Sequence, residues 1–246
     1  MAAPRKRQAG NMSEHDEIRS FYDTVYYRDA GTRIYVSGHL RRMAEKYVQA
    51  GDQVLDIACG TGNWLMAASE RGAIPAGIDL SPKAIGICRH NMPAGEFVSG
   101  PAESLPFADN SYDLVTCLGS LEHFLDPVAA VREMVRVAKD DAAFIILVPN
   151  SGFLTRRLGL YRGTYQTAAR EEVRSLDEWQ QIFTAGGLRI LRRWKDLHVL
   201  SWSWINQAGW PRAPVRALQA VALASWPLSW QYQVYHLLEQ NTGHQE

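Results

Sequence analysis

Residues 54–64 read VLDIACGTGNW. A short apolar run carries one carboxylate, Asp56, and ends at two glycines, Gly60 and Gly62, with one residue between them. Glycine permits positive φ and lets a ligand approach bare backbone. A helix beginning near Asn63 offers free N–H groups and positive potential at its amino end. The stretch therefore predicts a strand (53–58), a ligand-facing turn and a helix (63–71). Two common nucleotide motifs are excluded, because position 65 is leucine where Gly-x-Gly-x-x-Gly needs glycine, and no Gly-Lys-Ser/Thr is present.

Outward from this stretch, strands and helices alternate. AIPAGIDL (73–80) predicts a strand ending at Asp79. SPKAIGICRHN (81–91) predicts a helix with Ser81 as N-cap and Pro82 in the first turn. EFVSG (96–100) and YDLVTCLGS (112–120) read as strands, and DPVAAVREMVRVAK (126–139) as a helix opened by Asp126. AAFIILVPN (142–150) is a continuous apolar run, as expected of a strand buried on both faces. Strands joined by helices imply a parallel sheet with right-handed crossovers. Its ligand site lies beyond the carboxyl ends of the strands. SLDEWQQIFTAGG (175–187) predicts a further helix and LRILRRWKDL (188–197) a strand. QYQVYHLLE (231–239) predicts a last strand with Tyr232, Val234, His236 and Leu238 on one face.

Asp79 narrows the ligand, since an acid about 20 residues beyond the glycine turn commonly accepts from ribose hydroxyls. Together, DIACGTG (56–62) and GIDLS (77–81) resemble the class I S-adenosylmethionine-dependent methyltransferases. GPAESLPFADNSYDLVTCLGSLEHFLDP (100–127) is similar to that family's third-strand loop, fourth strand and following loop, and VPNSGF (148–153) to the end of its fifth strand. The resemblance spans residues 50–190 and is nearest to the small-molecule branch that includes quinone-biosynthesis methyltransferases.

The resemblance implies an α/β fold: a Rossmann-like, seven-stranded, mostly parallel sheet with helices on both faces, an N-terminal helical lid and a Trp-rich insertion near the C-terminus. The organisation expected is a disordered basic tail (1–12), an N-terminal helical lid (13–50), an S-adenosylmethionine-binding core (51–197), a Trp-rich insertion or lid (198–230), and a final strand and tail (231–246). Site roles follow from the same resemblance. Ala58, Gly60, Thr61 and Gly62 form the turn beside the methionine moiety and ribose. Asp56 faces the cofactor amino group, directly or through water. Asp79 binds the ribose hydroxyls and Leu80 lies under the adenine. Ala102 and Glu103 sit at the adenine amino edge, and Leu118 and Gly119 near the reacting methyl. Two departures stand out: Pro101 where relatives often have aspartate, which shifts adenine recognition to Glu103, and Ala58 where many have glycine. The residues alone allow other readings: Asp56 capping loop amides, Asp79 capping a helix, Glu103 as a solvated loop acid.

A hydroxyl, carboxyl or amine acceptor needs a route for its proton. His123, in SLEHFLDP, is the candidate base, with Glu122 orienting it or acting alone; packing of the loop is the alternative. Tyr22, Tyr26, Tyr27, His123, Tyr161 and Tyr165 are the candidate acceptor-binding residues. An aromatic lining suits an apolar or planar acceptor, and core packing would explain the same side chains. The acids at Asp109 and Asp113 do not form a metal-binding cluster, so no metal is expected. The expected reaction is direct SN2 methyl transfer to a small apolar, aromatic or isoprenoid acceptor. The alternatives are a protein, peptide or RNA acceptor, or a cofactor-binding regulatory protein without transfer.

Lys+Arg and Asp+Glu both total 26, and this balance counts against a dedicated nucleic-acid binder. Cys59, Cys88 and Cys117 form no C-x-x-C pair and read as reduced, buried thiols of a cytoplasmic protein. MAAPRKRQAG (1–10) lacks the apolar core of a signal peptide. Residues 198–230 hold Trp202, Trp204, Trp210, Trp226 and Trp230, five of the chain's 8 tryptophans. Within them PVRALQAVALASW (214–226) is almost wholly apolar and suits burial in a lid, a homodimer contact or an interfacial helix at a membrane surface. The expected location is cytoplasmic, with peripheral membrane contact through 198–230 as the variant reading.

Overall fold

The apolar run of the opening stretch becomes β1 (Gln53–Ile57), an interior strand of a seven-stranded sheet. A computed structural model describes residues 14–159, 172–207 and 209–241. Two helices, α1 (Glu14–Phe21) and α2 (Gly38–Tyr47), precede β1, with a five-residue π-turn over Tyr22–Tyr26. Then come α3 (Asn63–Ser69), β2 (Ile74–Asp79), α4 (Pro82–Asn91), β3 (Glu96–Ser99), β4 (Tyr112–Leu118), α5 (Pro127–Val137) and β5 (Ala138–Pro149). The chain continues through α6 (Leu154–Arg157), α7 (Leu176–Ala185), β6 (Leu188–Lys195), α8 (Trp202–Asn206), α9 (Ala213–Ser225) and β7 (Gln233–Gln240).

The strand order is β3-β2-β1-β4-β5-β7-β6. β1 pairs in parallel with β2 and β4, so the order reverses beside β1 and a crevice opens at the carboxyl ends of β1 and β4. β7 runs antiparallel between β5 and β6. Alternate residues of β5 serve two core layers. Phe144, Ile146 and Val148 meet Val131 and Met134 of α5 and Trp179 and Phe183 of α7. Ile145 and Leu147 belong to the opposite layer, with Met43 of α2, Trp64 and Leu65 of α3 and Ile85 of α4. Helices therefore cover both faces, as the continuous apolar strand requires.

Local chemistry sets the helix starts. The Ser81 hydroxyl accepts from Ala84 N–H at 3.1 Å, and Asp126 accepts from Ala129 N–H at 2.9 Å, each just before a proline. Ser175 and Glu178 close a capping box on α7. Two boundaries differ from the sequence reading. β5 starts at Ala138, directly after α5: Ala138 pairs with Tyr112, and the polar residues Lys139 to Asp141 lie in a bulge before regular pairing resumes at Ala143. The final strand is not one-faced: Tyr232 lies outside it, and Tyr235 is as buried as Val234 and His236. An interior strand between β5 and β6 has no solvent face. The expected basic tail, residues 1–12, lies outside the described residues.

α7 ends at Gly186, where a methyl group would overlap the Val131 side chain of α5. Gly186→Ala should therefore lower stability by about 1–3 kcal/mol, measured by urea unfolding, and Val131→Ala in the same chain should recover part of the loss.

Candidate active site

The glycine turn is built from three left-handed residues. Ala58 has φ 56°, Gly60 φ 53° and Gly62 φ 84°. Gly62 is the N-cap of α3 and leaves the helix amino end open. Ala58 bears the cost of a left-handed alanine, of the order of 1–2 kcal/mol, held by the pairing of β1 with its neighbours. Cys59 N–H donates to Ile78 O at 3.0 Å, tying the turn to the end of β2.

Asp79, the last residue of β2, locks that arrangement. Its Oδ2 accepts from Gly60 N–H at 2.9 Å and its Oδ1 from Ser81 N–H at 2.8 Å. Each carboxylate oxygen keeps a further acceptor position. Burial pushes the Asp79 carboxyl above its usual range, opposed by those two amide bonds. The helix cap of α4 is Ser81, not Asp79. The Ser81 hydroxyl also meets Asp23 of the π-turn, and Lys83 Nζ donates to Arg28 O at 2.7 Å. The segment before β1 is thereby fastened to the same strand end.

One cavity opens there. Ala58, Ile78, Asp79, Leu80, Gly100 and Ala102 line one part of it, with Gly119 and Ser120 at the end of β4. Tyr22, Tyr26, Tyr27, Glu103 and His123 line it too. Ten of the residues singled out from sequence thus line one cavity. Asp56, Gly60, Thr61, Gly62, Leu118 and Glu122 do not reach it. Gly60 lies directly behind Tyr27: a Cβ there would come within 2.9 Å of the tyrosine hydroxyl. Burial raises the phenols of Tyr22 and Tyr27 far above their usual range, so both are neutral donors rather than bases. Tyr161 and Tyr165 lie outside the described residues.

Glu103 is on the cavity wall, yet its Oε1 is engaged by Leu125 N–H at 3.0 Å and Asp126 N–H at 3.3 Å. Its Oε2 lies 3.5 Å from His15 Nε2. The Glu122 side chain is buried beside β4, whereas His123 faces the cavity. Sequence reasoning missed His15, Ile18, Phe124 and Leu125. The first two could have been found: His15, Ile18 and Tyr22 recur at i, i+3 and i+7, one face of a helix. Among the described residues no group of three or more His, Cys, Asp or Glu is placed to hold a metal ion.

Asp56 is paired across the sheet with Thr116, whose hydroxyl donates to its Oδ1 at 2.6 Å. Burial pushes the Asp56 carboxyl up to about 7, and Asp79 adds to the shift. A nearby cation would return the carboxyl to its charged form.

Residues 55–146 match the family model described as a methyltransferase domain. The chain is 33% identical to the uncharacterized methyltransferase YcgJ of Bacillus subtilis over 66% of this chain and 68% of the relative. The chain belongs to the S-adenosylmethionine-dependent methyltransferases. The crystal structure of YcgJ superposes with TM-score 0.54, covering 82% of this methyltransferase and 97% of that chain. A demethylmenaquinone methyltransferase of Renibacterium salmoninarum is 27% identical over 85% of this chain and 90% of its own. The ubiquinone/menaquinone biosynthesis C-methyltransferase UbiE of Geotalea uraniireducens is 30% identical over 61% and 68%.

The residues present fit S-adenosylmethionine. A buried carboxylate with acceptor positions to spare, Asp79, opens on a cavity whose neighbouring wall is the apolar side chains of Leu80 and Ala102. The left-handed turn leaves bare backbone beside it.

The Asp56 shift has a sign that unfolding can read. With its carboxyl at about 7 in the folded chain against 3.8 as the ordinary value, the stabilisation linked to its protonated form is complete below 3.8 and is lost as pH rises through 7. Asp56→Asn should abolish that loss, which falls between about pH 4 and 7, in urea unfolding of the cofactor-free protein. Parallel profiles of the two proteins would contradict the assignment.

Proposed function

We propose that this methyltransferase acts on a ring carbon of a small, apolar acceptor of the quinone type, by direct displacement. The observation that carries the reading is the wall that shares the cavity with Asp79, where Ile18, Tyr22, Tyr26, Phe124 and Leu125 supply an apolar and aromatic surface. A planar apolar ring stacks well on such a surface. The Renibacterium and Geotalea relatives, named for quinone methylation, support the acceptor class.

When bound, S-adenosylmethionine supplies an electrophilic methyl group on a positive sulfur, which departs with the electron pair of the broken bond. Asp79 binds the ribose hydroxyls through its remaining acceptor positions, with Leu80 and Ala102 against the base. Asp56 and the glycine turn from Ala58 to Gly62 orient the amino acid end. Tyr22, Tyr26 and Tyr27 close the cavity from the N-terminal side and exclude water, which strengthens every electrostatic contact inside. His123 takes the proton that the acceptor hydroxyl gives up as its ring carbon forms the new bond, and the hydrogen on that carbon then leaves as a proton while the oxygen is reprotonated, restoring the aromatic ring.

Incubation with methyl-labelled S-adenosylmethionine and a reduced, demethylated naphthoquinone should place the label on the ring carbon, read by mass spectrometry and NMR. His123→Gln should lower kcat by about 10²-fold or more while leaving cofactor affinity unchanged. Label appearing instead in protein or RNA, or cofactor binding without transfer to any quinol, would contradict the proposal.

A further inference from the structure

The connection from β6 to β7 folds into a helical unit at the carboxyl end of β6, the same end of the sheet as the cavity. Within it α8, α9 and the single turns at His198–Leu200 and Trp210–Arg212 pack on one another. α9 faces inward with Ala213 and Ala220, and it is held there by Lys195 Nζ donating to Ala224 O at 2.9 Å and Gln231 Nε2 to Leu223 O at 2.8 Å. Its outward face carries Val215, Leu218 and Val221, which are 69%, 74% and 61% exposed. A helix facing water normally carries polar residues on that side. Trp210, in the turn that leads into α9, is 78% exposed, and Trp202 on α8 is 66% exposed. The chain builds an apolar surface and leaves it uncovered, which marks an interaction site.

Charge selects the occupant. Residues 198–230 contain Arg212 and Arg216 and no aspartate or glutamate. Arg212 is exposed at the head of α9. Arg216 lies over the Trp204 ring at 3.8 Å and donates to Trp204 O at 2.9 Å, so its charge is fixed on the flank of the helix. A two-fold contact between copies would bring these cations together with no carboxylate of the segment to compensate them. An anionic bilayer supplies the missing charge, and tryptophan favours the boundary between headgroups and acyl chains. Among the described residues no helix is long and apolar enough to cross a membrane.

We infer that this face docks on an anionic lipid surface, with α9 lying in the plane of the interface, Val215, Leu218 and Val221 toward the acyl chains and Arg212 among the headgroups. The inference stands apart from the acceptor proposal, because docking is read without cofactor or acceptor.

The test is vesicle flotation of the full chain with phosphatidylcholine vesicles, with and without added phosphatidylglycerol. Binding should favour the anionic vesicles and weaken with salt. Leu218→Asp with Val221→Asp should reduce the bound fraction by about tenfold or more at unchanged melting temperature, and Arg212→Glu should remove the preference for anionic lipid. The inference is overturned if neither vesicle is bound, if the aspartate variant binds as the parent does, or if light scattering finds a dimer that Leu218→Asp dissociates.

Discussion

Two backbone amides bound to one carboxylate hold the mouth of this sheet together. Asp79 accepts from Gly60 on one side and Ser81 on the other, so the turn after β1, the end of β2 and the cap of α4 cannot move independently. Hydrogen bonds to a charged acceptor contribute about 1.5–3 kcal/mol each, and they offset the cost of keeping a carboxylate buried. The Ser81 hydroxyl extends the same connection to Asp23 and thus to the tyrosines that cover the cavity. In the proposed reading, the group that binds the ribose is also the group that sets the shape of its pocket. Preorganisation of this kind removes reorganisation at the moment of binding.

Much of this was legible because its causes are local. A strand running into glycines, a second strand ending in an acid, and Ser-Pro and Asp-Pro helix starts are all decided by a few neighbouring residues, and each occurs where the sequence placed it. The features that were not legible depend on residues far apart. The bond that Asp56 accepts from the Thr116 hydroxyl comes from the register of β1 on β4. Nothing in an alanine announces the left-handed backbone of Ala58. Glu103 is spoken for by the amides of Leu125 and Asp126, a contact only the tertiary fold can make.

The last strand and α9 show how neighbours decide burial. β7 carries polar residues that suggest a half-exposed strand, yet its place between β5 and β6 buries both faces. His236 is fully covered there, and burial lowers its imidazole to about 4, so it packs as a neutral ring against Phe183. α9 is almost wholly apolar, which suits a core helix as well as an interfacial one, and one of its sides faces outward. Hydrophobic pattern reports what a residue tolerates; neighbours determine what covers it.

Isothermal titration of S-adenosylhomocysteine into the protein and its Asp79→Ala variant tests the central claim most directly. The account predicts binding by the parent, and a loss of affinity of about tenfold or more in a variant that remains folded, consistent with removing a buried, charge-assisted contact. Equal affinity in the two proteins would contradict the role given to Asp79, and absence of binding to the parent would contradict the site itself.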